Sequence, residues 1–204
     1  MKINNTQRGF TMLEMIVSLG IFTVVAVIAV GTLVKIVGLN RQAQTLQSSM
    51  NNLSFALESL SREIRMGTSF YCSSDLDVDV SSFSPRGCSG SNGRLLAFRS
   101  SKTAPDGGSS VCNLIYSYRV VQVSSDPLLF KLEKAKQSDC GDTLTYHSIL
   151  DENNIFLTDG NFNVYKGAGG YSWADIRFRG YSGNRENELN YFNVQTSVSQ
   201  RMAD

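Results

Sequence analysis

Arg8-Gly9-Phe10-Thr11-Met12-Leu13-Glu14 stands directly before MIVSLGIFTVVAVIAVGTLV, the twenty uncharged and mostly apolar residues from Met15 to Val34. Twenty helical residues at ~1.5 Å rise span about 30 Å, the thickness of a bilayer hydrocarbon core, so the run predicts a membrane-crossing helix. The carboxylate at its edge is the informative residue. An ionised side chain near hydrocarbon is disfavoured by about 2.5 kcal/mol or more, which marks Glu14 either as an interface residue or as a group with a partner. A cut after Gly9 would free an amine on Phe10, four residues before Glu14, and a helix puts residues at that spacing on one face. Amine and carboxylate would then pair between neighbouring chains.

Beyond Val34 the apolar residues Leu39, Ala43, Leu46, Met50, Leu53, Leu57, Leu60 and Ile64 alternate spacings of four and three, a heptad stripe. The first proline is Pro85, so span and stripe predict one helix from Phe10 to Met66, about 85 Å long at ~1.5 Å per residue, with Gly67 as its stop. Such a stripe is either a seam between chains or a face on which the chain's own domain packs. From Met50 onward the second reading is preferred, because a downstream sheet needs a cover; Lys35 to Ser49 are assigned to contacts with other subunits. Arg62, Glu63 and Arg65 read as a solvated face or local ion pairs.

Thr68 to Gly93 is rich in Ser, Gly, Asp and Cys and reads as a long loop with at most a short strand. If extended, Asp75-Leu76-Asp77-Val78-Asp79 would put three carboxylates on one side, but Val80 and Arg86 stand where a calcium loop of the EF-hand type needs glycine and glutamate. From Arg94 the period changes to two. Strands are predicted at Arg94–Arg99, Leu114–Val123, Leu128–Lys134, Leu144–Leu150, Phe162–Tyr165, Ala174–Tyr181 and Tyr191–Gln200. Turns are predicted at Ser124–Pro127 and Ser182–Asn187. The last hairpin should lay one apolar face on the long helix. The fold class is therefore α+β, a long N-terminal helix packed on an antiparallel sheet.

Formal charge is 19 minus 18, or +1, and becomes 17 minus 18, or −1, without Lys2 and Arg8, so no electrostatic footprint for nucleic acid is present. A conventional secretory signal would have a shorter apolar stretch of about 7 to 15 residues ending at a small-residue cleavage site. Lys2 and Arg8 favour a cytoplasmic N-terminus, with Lys35 and Arg41 blurring the asymmetry. Cys72, Cys88, Cys112 and Cys140 would then face an oxidising compartment, where disulfides form. Of the three possible pairings, Cys72 with Cys88 and Cys112 with Cys140 is preferred, each closing a loop between neighbouring elements. Spacings of 16, 24 and 28 residues contain no Cys-x-x-Cys clip and His147 is the only histidine, so no metal site is assigned. His147, in a predicted strand, is also the only imidazole available to a nucleophile, and Lys166-Gly167-Ala168-Gly169-Gly170-Tyr171 lacks a nucleotide fingerprint and reads as a turn. Neither an enzyme nor a cofactor is expected. Tyr165, Tyr171, Trp173 and Tyr181 form either an aromatic platform for a glycan or polymer surface, or ordinary edge packing.

Gly9-Phe10-Thr11-Met12-Leu13-Glu14-Met15-Ile16-Val17-Ser18-Leu19 resembles the processing and methylation segment of type IV pilins and type II secretion pseudopilins. The resemblance implies a leader, residues 1–9 with basic Lys2 and Arg8, removed after Gly9 by prepilin peptidase, which also methylates the new N-terminus at Phe10. It makes Glu14 the assembly carboxylate. It implies a transmembrane and assembly helix over 10–34, an amphipathic extension over 35–67 and a β-rich extracytoplasmic domain over 68–204. Implied partners are the peptidase, other pilin or pseudopilin subunits, the inner-membrane assembly platform and, before assembly, lipid. The implied location is a single pass through the inner membrane, then an extracellular or periplasmic filament. Many major pilins have a proline twenty-one residues after the processed N-terminus, where this chain has Gly31, which points to a minor pilin. Leu60-Ser61-Arg62-Glu63-Ile64-Arg65 and the sheet that follows are similar to minor pilins and the J-type pseudopilin. A type II secretion pseudopilin is the alternative, and a membrane-tethered adhesin or ligand-binding module that never polymerises is a more distant one.

Overall fold

With no proline to interrupt it, helix α1 runs unbroken over Met12–Arg65. The computed structural model describes residues 9–80, 83–105, 111–139, 142–166, 172–183 and 189–201. Thr11 caps α1: its Oγ1 accepts from the Glu14 amide at 3.3 Å, so the helix begins two residues later than Phe10. At the other end the Met66 amide donates to the Glu63 carbonyl at 3.2 Å, tightening the last turn, and β1 starts at once. Gly67 is needed there for space rather than for a left-handed cap. A Cβ on it would sit 2.5 Å from Cδ2 of Phe98.

Two compact units divide the chain, Met1–Gln44 and Thr45–Asp204. In the second, the strands are β1 (Gly67–Ser73), β2 (Cys88–Gly93), β3 (Leu95–Pro105), β4 (Val111–Ser125), β5 (Leu128–Lys136), β6 (His147–Ser148), β7 (Ile155–Lys166), β8 (Ser172–Ser182) and β9 (Asn190–Ser199). They form one sheet in the order β1-β3-β4-β5-β7-β8-β9, with β2 on β7 and β6 on β5. Every strand pair is antiparallel, and β5 meets β7 through the single pair Phe130 and Leu157.

Residues from Ser49 onward in α1 supply the helical side of the core. The buried positions are Ser49, Leu53, Ala56, Leu60 and Ile64, spaced 4, 3, 4 and 4. That departs from the expected heptad stripe. Met50 is 40% exposed and Leu57 only partly buried, while Ser49 and Ala56 take the central places. A straight helix turns every ~3.6 residues, so a stripe read at 3.5 drifts off the covered face. Opposite lie Phe98 and Tyr118, Phe162 from β7, and Ala174, Ile176 and Phe178 from β8, with Phe192 and Val194 of β9 packed at the margin. The last hairpin thus meets the helix with its apolar face, as its alternation predicts.

Thr68–Gly93 is more ordered than a long loop. Its ends are the strands β1 and β2, joined by a disulfide between Cys72 and Cys88 with Cα atoms 5.5 Å apart. A Cβ on Gly93 would stand 2.6 Å from one sulfur and 2.7 Å from the other, so the glycine admits the bridge. Between the strands Val80 and Phe83 bury themselves against Leu95, Ala97 and Ile115 on the sheet's other face. Cys112 is also disulfide-bonded, and Cys140, its expected partner, lies outside the described residues.

Leu144–Leu150 is strand only at His147–Ser148, and exposed His147 pairs through its backbone with Lys134. The Ile149 amide extends this pairing by donating to the Leu132 carbonyl at 3.1 Å, and side chains fix the segment before it. Arg119 lies 3.7 Å over the Tyr146 ring, and Tyr146 and Ser117 share a hydrogen bond of 2.8 Å. Arg119 also reaches the Glu133 carboxylate at 2.6 Å, with Lys131 at 2.7 Å. Burial alone would raise the Glu133 carboxyl, but the hydrogen bonds from Lys131 and Arg119 outweigh it and hold the group below its ordinary value of 4.5. A depressed carboxyl stabilises the fold above its unfolded value and loses that contribution as pH falls through the folded one. The thermal midpoint should therefore drop in acid below about pH 4.3, and Glu133→Gln should make that drop shallower. An identical acid profile for both proteins in a melting series would refute the assignment.

Arg62 fits the solvated reading, paired with Glu58 at 2.9 Å on the exposed surface. Glu63 does not. Half-buried, it accepts from the Tyr118 hydroxyl and from the Lys134 ammonium, tying the end of α1 to β4 and β5. Burial first, then the Glu63 charge, pushes the Tyr118 phenol far above its ordinary value, so it stays a donor.

Candidate functional site

The described residues of the N-terminal unit present an exposed apolar surface. Phe10 is 76% exposed, and the large apolar side chains from Met12 to Leu39 are exposed all round the helix. A helix that is apolar on every side needs an apolar surrounding. Length and composition allow α1 to cross a membrane. The hydroxyls within the run do not oppose this, because each is satisfied by the helix backbone: Ser18 donates to the Glu14 carbonyl at 2.7 Å, Thr23 to Gly20 at 2.8 Å and Thr32 to Ala29 at 2.8 Å.

Glu14 sits in the first turn of α1, with its side chain exposed and its amide held by Thr11. A carboxylate there is favoured by the partial positive charge of the helix start, by about 0.3–1 kcal/mol at an exposed site. Thr11 to Glu14 also has the spacing of a capping box, a local signal that residue chemistry alone made readable. Gly9 and Phe10 precede the helix, so Phe10 is not on the helical face that carries Glu14, contrary to the expectation from their spacing. Lys2 and Arg8 lie outside the described residues. A Cβ on Gly9, Gly20, Gly31 or Gly38 would meet no atom within 4 Å, so the chain's own packing asks for none of these glycines.

The other candidate positions are not brought together. Trp173 stacks on Tyr165 with centroids 5.4 Å apart, whereas Tyr181 groups with Phe156 at 5.2 Å and Tyr191 at 6.0 Å. Eight residues of β8, about 26 Å at ~3.3 Å each, separate these two groups, and Tyr171 lies outside the described residues. The expected turns are described only in part: residues 184–187 and 167–171 also lie outside. Asp75, Asp77 and Asp79 do not line one side of a strand. The Asp75 amide donates to Ser73 Oγ and its carboxylate accepts from the Asp77 amide, both at 3.0 Å, which folds the segment into local turns. Among the described residues no three His, Cys, Asp or Glu side chains converge.

No curated protein and no solved structure gives a significant match to this chain. Its N-terminal segment does have a counterpart: residues 4–30 match the prokaryotic N-terminal methylation motif, and with the apolar helix and first-turn carboxylate they give this chain the signature of type IV pilins and pseudopilins.

Proposed function

We propose that this chain is a minor type IV pilin, a structural or initiating subunit whose N-terminal helix passes from the inner membrane into a helical filament. One observation carries it: among the described residues the large apolar side chains of α1 from Met12 to Leu39 are exposed all round the helix, with Glu14 in its first turn. Lipid satisfies the apolar surface but not the carboxylate, whereas a bundle of like helices supplies both an apolar surrounding and a terminal amine. The methylation motif implies a prepilin peptidase substrate that assembles with other pilins, and the family signature suggests a structural, non-enzymatic subunit. Motif and helix together are consistent with a membrane-anchored pilin.

In this reading residues 1–9 are the leader, 10–34 the membrane and assembly helix, 35–67 its amphipathic extension and 68–204 the extracytoplasmic domain. Gly9 is the residue before the cut, a role consistent with the open space around it. Phe10 becomes the methylated first residue. Gly31, in place of proline, keeps the helix hydrogen-bond ladder whole and supports a minor rather than a major subunit.

Mass spectrometry of the chain purified from its native cells tests this directly. The expected product begins at Phe10 and carries one methyl group on its N-terminal nitrogen. A mature chain that still begins at Met1 would overturn the proposal. Deleting the gene then separates the two filament systems, since loss of surface filaments fits a minor pilin and loss of protein secretion fits a pseudopilin. Absence from purified filaments would instead favour a tethered adhesin.

A further inference from the structure

Within the second unit, the last turns of α1 and the end of β9 enclose a groove of about 690 Å3. Backbone hydrogen bonds fix its shape: the Arg201 amide donates to the Arg65 carbonyl at 2.9 Å, and the Gln200 amide donates to the Ser172 carbonyl at 3.0 Å. The residues that follow β9 are thereby pinned beside the end of the helix.

Three arginines, Arg62, Arg65 and Arg201, line the groove against one carboxylate, Glu58. Arg62 is engaged by Glu58 at 2.9 Å. Arg65 and Arg201 are exposed, and among the described residues neither guanidinium makes an ion pair or a hydrogen bond. The partial negative charge of the helix end accounts for Arg65 but not for Arg201, which is not on the helix. Nearby carboxylates are occupied elsewhere: Asp175 accepts from the Ser197 hydroxyl at 2.5 Å, and Glu63 accepts from Tyr118 and Lys134.

A guanidinium fork matches a carboxylate, offering two parallel donors to two oxygens. The rest of the lining is polar, with the Ser61 and Ser199 hydroxyls and the Gln200 amide, and Met66 is its one apolar side chain among the described residues. The volume falls in the range of small-molecule sites, about 300–1,000 Å3, and exceeds what a bare ion fills. The complementary ligand therefore carries carboxylates on a body rich in hydroxyls.

We propose that this groove binds an acidic saccharide, a chain of hexuronate sugars whose carboxylates are held by Arg65 and Arg201 and whose ring hydroxyls meet Ser61, Ser199 and Gln200. A neutral sugar leaves both cations unmet, and an acidic peptide brings no ring hydroxyls to the serines. The site is built from the second unit alone, so it stands whether or not the chain polymerises.

Isothermal titration of the full chain in a non-ionic detergent tests it with three probes: tetragalacturonate, the neutral sugar maltotetraose, and a tetraglutamate peptide. Tetragalacturonate should bind at least about tenfold more tightly than either of the others, and more weakly as salt rises. Arg65→Gln with Arg201→Gln should weaken that binding at least about tenfold. Arg86→Gln with Lys166→Gln removes the same charge from residues that do not line the groove, and should leave it within about twofold. Equal losses in the two double variants would reduce the effect to general charge attraction and overturn the proposal. So would a native chain that does not bind tetragalacturonate, or that binds maltotetraose or tetraglutamate as tightly, and these comparisons hold even if a variant fails to fold.

Discussion

Glu14→Ala is expected to leave the protein in the membrane fraction, correctly trimmed, while its recovery from sheared filaments falls by about two orders of magnitude. Removing the carboxylate makes the apolar run more favourable to lipid, so insertion does not suffer. On the proposed reading, what is lost is the partner of the Phe10 amine inside an apolar bundle, and breaking one side of a buried charge pair costs about 3–5 kcal/mol because the remaining charge is stranded. Each ~1.4 kcal/mol is a factor of ten in an equilibrium, hence the size of the effect. Quantitative immunoblots of membrane and filament fractions from cells carrying wild type or variant give the ratio. Equal incorporation of the two would show that Glu14 marks only the membrane interface.

The second large effect concerns the other end of α1. Leu60 is 0% exposed and faces the sheet core, so Leu60→Ala should destabilise the domain by about 2–5 kcal/mol, through lost burial and a cavity that closes only partly. For a chain of this size that lowers the thermal midpoint by roughly 5–15 °C. Phe55→Ala on the same helix, where Phe55 is 75% exposed, should shift it little. Calorimetry on both variants decides whether α1 is part of the domain's core. Similar small shifts for the two would mean that the sheet holds together without the helix.

What could be read from the residues in advance follows from how local each signal is. Helix α1 was legible because its cues, the apolar run, the absence of proline and a repeat close to the helical period, are contiguous. The strands β4, β5, β8 and β9 were legible because alternation is a property of neighbours. Strands β1 and β2 were not: their Ser, Gly and Cys residues favour loops, and their extended form is imposed by β3 and β7 and by the Cys72–Cys88 bridge. Glu63 looked like surface charge for the same reason, since Tyr118 and Lys134 lie 55 and 71 residues further along the chain. The buried stripe was read slightly out of phase, a heptad imposed on a helix whose covered positions have a longer average spacing. The methylation motif over residues 4–30 was the easiest to read, because a motif carried on a linear segment leaves its cues in linear order.

Ser18, Thr23 and Thr32 have already spent their hydroxyl protons on carbonyls of their own helix. For that segment, fatty-acyl chains and the flanks of sister helices are therefore almost the same solvent, with no water to strip or restore on changing one for the other. On the proposed reading, exchange between the two is close to thermoneutral along the apolar length, and the direction of travel is left to the Phe10 amine and the Glu14 carboxylate at its tip.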